Sequence, residues 1–230
     1  MIKAIIFDLD GTLIGQKKGS SVVLNQFYSD NKMRFDNLGQ KDFFDVWKKA
    51  GRKNLSEFLR GKITFEEKMI NQILEVFKEL KIAIEKKEAN ELFKEFLPIY
   101  EENMVLFEDV IPCLEFLKDE GYKTGIITNG NRKDQMEKLN RFGLTKFFST
   151  ITISGDVGVA KPNVEIFNKC INQLELCPVS IIYVGDLIEM DVYGAQNAGM
   201  RGVWLNRESN EFEFEGTSIK TLNELEKLLE

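Results

Sequence analysis

Residues 2–13 read IKAIIFDLDGTL, and the interpretation of this stretch decides the fold. Ala4 to Phe7 is an apolar run without alternation, the pattern of a strand buried on both faces of a parallel sheet. The run ends abruptly in charge. Asp8 and Asp10 flank a single residue, so a chain turning out of the sheet aims both carboxyl groups at one point, and Gly11 permits the tight backbone of such a turn. That point suits a hard cation and a phosphate. The alternative is an ordinary strand with two solvated aspartates at its exit, and the rest of the chain decides between them.

After Leu13 the texture changes from strand to helix through residues 15–21, rich in Gly, Lys and Ser, which read as a hinge. From about Ser21 to Asn103 the apolar positions fall at helical spacing. Phe43, Val46, Trp47 and Ala50 form one stripe, Phe65, Met69, Ile73 and Phe77 a second, and Leu92, Phe93, Phe96, Leu97 and Tyr100 a third. Thr64 with Glu67 forms a capping box, and Pro98 is expected to kink the third helix. These phenylalanines read as the core of a helical bundle.

From Val105 onward strands and helices alternate, the sign of a doubly wound sheet. Asp109 is expected to cap a helix running through Lys118. Lys123 to Thr128, Ile151 to Ser154, Ser180 to Val184 and Gly202 to Leu205 read as further strands. Helices are expected on Met136, Leu139 and Phe142, from about Asn163, and through Ala198 to Gly199, with a last one on Leu222, Leu225, Leu228 and Leu229. Phe212 and Phe214 alternate with glutamates as an edge ribbon or loop. The fold class expected is α/β, a doubly wound, Rossmann-like parallel sheet. Its core is discontinuous, residues 1–14 and 104–230, with an all-helical domain, 15–103, spliced in after the first strand.

Composition narrows the chemistry. The 230 residues are 43% hydrophobic and 30% charged, as in an ordinary globular protein, and the net charge of −6 argues against a nucleic-acid or anionic-membrane partner. The first apolar run is too short for a signal peptide and is cut by Asp8, so the expectation is a cytoplasmic protein, monomer or homodimer. Cys113, Cys170 and Cys177 lack C-x-x-C spacing and read as buried reduced thiols. The chain has no histidine, which removes Ser-His-Asp triads, histidine phosphatases and the usual zinc and iron ligand sets.

In open parallel sheets ligands bind beyond the carboxyl ends of the strands. Those ends offer Asp8, Asp10 and Thr12, then Thr128 and Asn129, then Asp186 with Asp191, and Lys161 lies in the loop after the short third strand. Several carboxylates at close range repel one another unless a divalent cation sits among them, and an all-oxygen set favours Mg²⁺. With Mg²⁺ and Lys161 offsetting charge, a phosphoryl group can approach an aspartate, and Thr128, Asn129 and the N–H groups of the following helix can hold its oxygens. Asp8 is then the candidate nucleophile, forming an aspartyl phosphate, and Asp10 is placed to shuttle the proton.

The core resembles the haloacid dehalogenase-like hydrolase superfamily, in its branch with a helical cap after the first strand. The resemblance is carried by DLDGT at Asp8–Thr12, IITNG at Ile126–Gly130, GVAKP at Gly158–Pro162 and VGDxxxxD at Val184–Asp191, with GAQNAGM at Gly194–Met200. It covers most of the core and only the helical character of the cap. It implies that Asp8 is nucleophile and metal ligand. Asp10 would be the general acid/base and bind Mg²⁺ through its carbonyl, and Asp186 would be the third protein ligand. Asp191 would support the metal, Thr128 and Lys161 would hold the phosphoryl group, and Thr12 would fix the loop. The cap would close over the core and supply substrate contacts.

Branches that break carbon–halogen or carbon–phosphorus bonds replace the second aspartate, so Asp10 argues for phosphate esters. Leu187, Met190 and Glu108-Asp109 depart from the common pattern without removing a catalytic group. The resemblance implies a phosphatase of a small phosphorylated metabolite, such as a nucleoside monophosphate or a sugar phosphate. A phosphomutase sharing the same motifs, or a non-catalytic binding module on this fold, is the alternative.

Overall fold

Four consecutive side chains without exposed surface, Ala4–Phe7, form strand β1 at the centre of a parallel sheet. The computed structural model describes residues 1–16, 21–35, 38–59, 62–208 and 214–229. On one side β1 pairs with β4 (Lys123–Thr128), which pairs in turn with β5 (Thr150–Ile153). On the other it pairs with β6 (Ile181–Gly185), followed by β7 (Arg201–Leu205) and β8 (Thr217–Ile219). The order β5-β4-β1-β6-β7-β8 reverses direction at β1, a topological switch point. Ala4 lies opposite both Lys123 and Ile181, so β1, β4 and β6 run out at nearly the same level.

The sheet is held by apolar burial. On one face Ala4, Ile6, Ile127 and Tyr183 pack with Ile166, Phe167, Cys170 and Leu174 of helix α9 (Val164–Leu174). The remaining helices of this unit are α6 (Val110–Asp119), α7 (Arg132–Arg141), the single turn α8 (Ser154–Val157) and α10 (Tyr193–Asn197).

The chain divides into two compact units, residues 1–15 with 106–230, and residues 16–105. It passes between them along β2 (Ile14–Gln16) and β3 (Met104–Leu106), two short strands that pair with each other. The second unit is helical: α1 (Ser21–Asn31), α2 (Gln40–Lys53), α3 (Leu55–Leu59), α4 (Phe65–Glu79) and α5 (Lys86–Glu102). Its core is aromatic. Phe27, Phe35, Phe43, Trp47, Phe77 and Phe96 are buried together, with Phe35 and Phe43 stacked at 4.9 Å between ring centroids. The capping box forms at the start of α4: Thr64 Oγ1 accepts from Glu67 N at 3.1 Å, and the Glu67 carboxylate accepts from Thr64 N at 2.8 Å. Helix α5 continues through Pro98 to Glu102.

Several local expectations are corrected. The tail from Thr221 is two 3₁₀ turns, Leu222–Glu224 and Glu226–Leu228, rather than an α-helix, because its bonds run from i to i+3 over too few residues to establish an α-helical ladder. Strands β2, β3 and β8 were not foreseen, each being only three residues long. Cys113 and Cys170 are buried, but Cys177 is exposed, since it lies outside the sheet in the turn that enters β6. Phe212 and residues 17–20 of the expected hinge lie outside the described residues, whereas Phe214 packs on Trp204 at 5.4 Å.

Asp109 stands at the start of α6 without using its side chain as a cap. Its carboxylate instead receives Arg207 through two guanidinium nitrogens, at 2.8 and 2.9 Å, together with Thr221 Oγ1 and Leu222 N. Arg207 also donates to the carbonyl of Thr12 at 2.8 Å. One ion pair thus ties the C-terminal turns to the loop after β1. Both side chains are part-buried, and removing one partner leaves the other charge only partly screened by solvent, so Asp109→Ala is expected to cost about 2 kcal/mol in urea unfolding of the α/β unit. Thr64→Ala, which removes only an exposed cap in the helical unit, should cost about 1 kcal/mol.

Candidate active site

The crevice beyond β1, β4 and β6 collects the charged side chains. Lys161 is 4% exposed, and its Nζ lies 2.6 Å from Asp8 Oδ1, 2.6 Å from Asp191 Oδ1 and 2.9 Å from the hydroxyl of Tyr183. Asp191 accepts further bonds from Tyr183 at 3.1 Å and from the backbone N–H of Leu187 at 2.9 Å, so both its oxygens are engaged. Asp186 meets Thr12 Oγ1 at 3.4 Å. The carboxylates of Asp8, Asp186 and Asp191 offer oxygens that all lie within 4.8 Å of one another. Gly11 makes room for this: its φ is +90°, and a Cβ there would sit 2.5 Å from Asp186 Oδ2.

Electrostatics follow from burial. Burial pushes the Asp8 carboxyl well above its usual range, against the pull of Lys161, and the charges of Asp191 and Asp186 add to the rise. Asp186 is pushed up to about 7, by burial first and by Asp191 second. Burial works against the charge on Lys161, yet Asp191 and Asp8 hold it above the ordinary lysine value. Three carboxylates thus face one ammonium. An all-oxygen donor set with surplus negative charge fits a hard divalent cation.

Asp10 is not one of these three carboxylates and has its own partners. Both its oxygens meet Lys138 Nζ, at 2.7 and 2.8 Å, and its Oδ2 also accepts from Gln135 Nε2 at 2.9 Å. Partial burial works to raise its pKa, but the charge and hydrogen bonds of Lys138, with the bond from Gln135, bring it below the usual carboxylate value. Thr128 is buried at the end of β4, and its hydroxyl accepts from the same Gln135 amide at 2.9 Å. The Asn129 side chain spans to the backbone of Lys161, accepting from its N–H at 2.8 Å and donating to its carbonyl at 3.2 Å. It therefore fixes the lysine loop.

All eight residues singled out from the sequence lie at this end of the sheet, and three others join them unforeseen. Tyr183 is a lone hydroxyl in an otherwise apolar strand, which is itself a signal. Gln135 and Lys138 were obscured because α7 was expected to bury Met136, Leu139 and Phe142. The buried face instead carries Gln135 and Leu139, with Met136 and Phe142 half-buried. A polar residue on a helix face that must pack against a sheet was the available clue.

The family model described as haloacid dehalogenase-like hydrolase matches residues 5–205. Over 117 residues the chain is 41% identical to a glyceraldehyde 3-phosphate phosphatase of Pyrococcus furiosus, covering 50% of this chain and 49% of the relative. Over 111 residues it is 42% identical to a pyrimidine 5′-nucleotidase of Escherichia coli, covering 46% and 49%. The matches therefore span about half the length of these curated relatives. A crystal structure of a HAD phosphatase from Thermococcus onnurineus aligns with a TM-score of 0.63 at 29% identity, over 99% of this chain and 98% of that one. No helix among the described residues is long and apolar enough to cross a membrane.

The raised carboxyls give a stability prediction in a window that no histidine complicates. A carboxyl whose folded pKa exceeds its unfolded value binds protons more tightly when folded, so stability rises as pH falls through the folded value. For Asp186 that value is about 7. The metal-free protein should therefore show a higher thermal midpoint at pH 5 than at pH 8, and millimolar Mg²⁺ should raise the midpoint at pH 8 more than at pH 5. Calorimetry at the two pH values checks both signs.

Proposed function

Since the chain belongs to the haloacid dehalogenase-like hydrolases, we propose that it is a Mg²⁺-dependent phosphatase of small phosphorylated metabolites, working through an aspartyl phosphate on Asp8. The observation that carries this reading is the division of carboxylates: Asp8 lies among Asp186, Asp191 and Lys161, while Asp10 is held outside that cluster. A nucleophile and a proton carrier need such different surroundings. Asp8 and Asp186 carboxylates, with the Asp10 carbonyl, would hold Mg²⁺, and Asp191 would support the arrangement through Lys161 and the Leu187 N–H. When bound, the cation offsets the charge that otherwise keeps an anionic phosphoryl group from an aspartate.

The chain's own residues account for the rest. An Asp8 oxygen attacks phosphorus, the ester P–O bond breaks, and the leaving alkoxide takes a proton from the Asp10 carboxyl. Water then attacks the phosphoaspartate and gives a proton to the Asp10 carboxylate, the bond from phosphorus to the Asp8 oxygen breaks, and inorganic phosphate leaves. Lys161 neutralises charge on the phosphoryl oxygens and on Asp8, and the Thr128 hydroxyl offers them a hydrogen bond. The names of the two curated relatives support a substrate whose phosphate sits on a primary hydroxyl, a small sugar phosphate or a nucleoside monophosphate.

Phosphate release from glyceraldehyde 3-phosphate, uridine monophosphate and phosphoserine, with and without Mg²⁺, tests the reading. Release is expected to require the metal and to fall about a thousandfold or more in Asp8→Asn. Full activity in Asp8→Asn would overturn the phosphoaspartate route, and isomerised product in place of free phosphate would make the protein a mutase.

A further inference from the structure

We infer that Lys138 and Gln135 are positioning residues for Asp10, holding its carboxylate for the water-attack half of the reaction. The inference rests on the phosphoaspartate reading above and extends it to residues outside the crevice motifs. Lys138 Nζ sits astride the carboxylate, 2.7 Å from Oδ1 and 2.8 Å from Oδ2, and Gln135 Nε2 adds a bond to Oδ2 at 2.9 Å. Every one of these contacts is a donor. A carboxylate with donors on both oxygens is oriented as a proton acceptor, the form needed when water must be activated.

The geometry around Gln135 argues that this is a built arrangement rather than a chance surface pair. Its amide is buried, and the same Nε2 faces Asp10 Oδ2, Thr128 Oγ1 at 2.9 Å and the Asn129 carbonyl at 2.7 Å. Its Oε1 has no partner among the described residues. Turning the amide over would set that oxygen against the Asp10 carboxylate and the Asn129 carbonyl, so the donor end is fixed toward the acid. Gly130 allows the approach: its φ is +141°, and a Cβ there would lie 2.9 Å from Gln135 Nε2. Asn131 starts the helix by accepting from Asp134 N at 2.9 Å, and the spacing of three residues puts Gln135 and Lys138 on neighbouring positions of one face.

The consequence is a link between two catalytic groups. Gln135 joins the Asp10 carboxylate to the Thr128 hydroxyl, so the proton acceptor is set relative to a group that holds the phosphoryl oxygens. Lys138 pairs with the same carboxylate, which is not among the grouped carboxylates of Asp8, Asp186 and Asp191. Without the clamp, the Asp10 side chain, 44% exposed, is free to rotate toward solvent.

Rapid-quench kinetics with p-nitrophenyl phosphate separate the two halves of the reaction. Nitrophenolate leaves without a proton, so formation of the phosphoenzyme does not depend on Asp10, whereas its hydrolysis does. In Lys138→Met, decay of the acid-trapped phosphoenzyme is expected to slow about 30-fold and its formation by less than about threefold, giving a burst of nitrophenolate. Lys138→Arg should recover most of the decay rate, and Lys138→Gln serves if the Met variant does not fold. Equal slowing of both steps, or of neither, overturns the inference. Asp10→Asn is the reference: accumulation of its phosphoenzyme beside a normal Lys138→Met sinks the clamp alone, while a phosphoenzyme trapped in no variant sinks the mechanism beneath it.

Discussion

A single buried ammonium constrains the α/β unit. Lys161 is withdrawn from water between Asp8 and Asp191, and each buried ion costs several kcal/mol unless its neighbours satisfy it. Much of the surrounding structure serves that condition. Tyr183 supplies a hydroxyl from β6 and itself bonds the Ile127 carbonyl at 3.0 Å, so the strand that leads into Asp186 also braces the lysine. Asn129, at the end of β4, grips the lysine's backbone from the other side. The parallel sheet makes this possible, because β1, β4 and β6 end together and deliver Asp8, Asn129 and Asp186 to one crevice. One ammonium stands against three carboxylates, a donor set that fits a hard divalent cation.

The chain leaves and re-enters the α/β unit along paired strands. With β2 beside β3, residues 16–105 begin and end at one pair of short strands. Each unit has its own apolar core, one built on the sheet and one on the packed rings of Phe27, Phe43, Trp47 and Phe96. The helical unit's sequence therefore carries the strong period of a bundle, and the α/β unit carries short apolar runs ending in polar residues.

That difference explains what could be read beforehand. The strands and their polar exits were legible because a buried parallel strand has no alternation and stops where charge begins, as at Phe7–Asp8 and Gly185–Asp186. The motif residues were legible because they sit at those exits. Asp109 was misread as a cap because its partner Arg207 lies 98 residues away, and no local pattern announces a pair formed across the fold. Gln135 and Lys138 were missed for a related reason. Helical periodicity sorts apolar from polar, and here the face turned to the site is polar.

Asp8, Asp10 and Asp186 share one intrinsic acidity and do not share one behaviour. Burial and mutual repulsion push Asp8 and Asp186 upward, while Lys138 and Gln135 draw Asp10 downward. In a chain without histidine, a group that titrates near neutrality has to be made by its surroundings, as burial and the charge of Asp191 make one of Asp186. The two settings come from different parts of the fold. Asp8 and Asp186 are set by burial at the strand ends and by the neighbours they share, so altering one disturbs the other. Asp10 is set from α7, which contributes no carboxylate to that cluster. Altering that helix face would act on Asp10 first, and on Asp186 through the charge of Asp10.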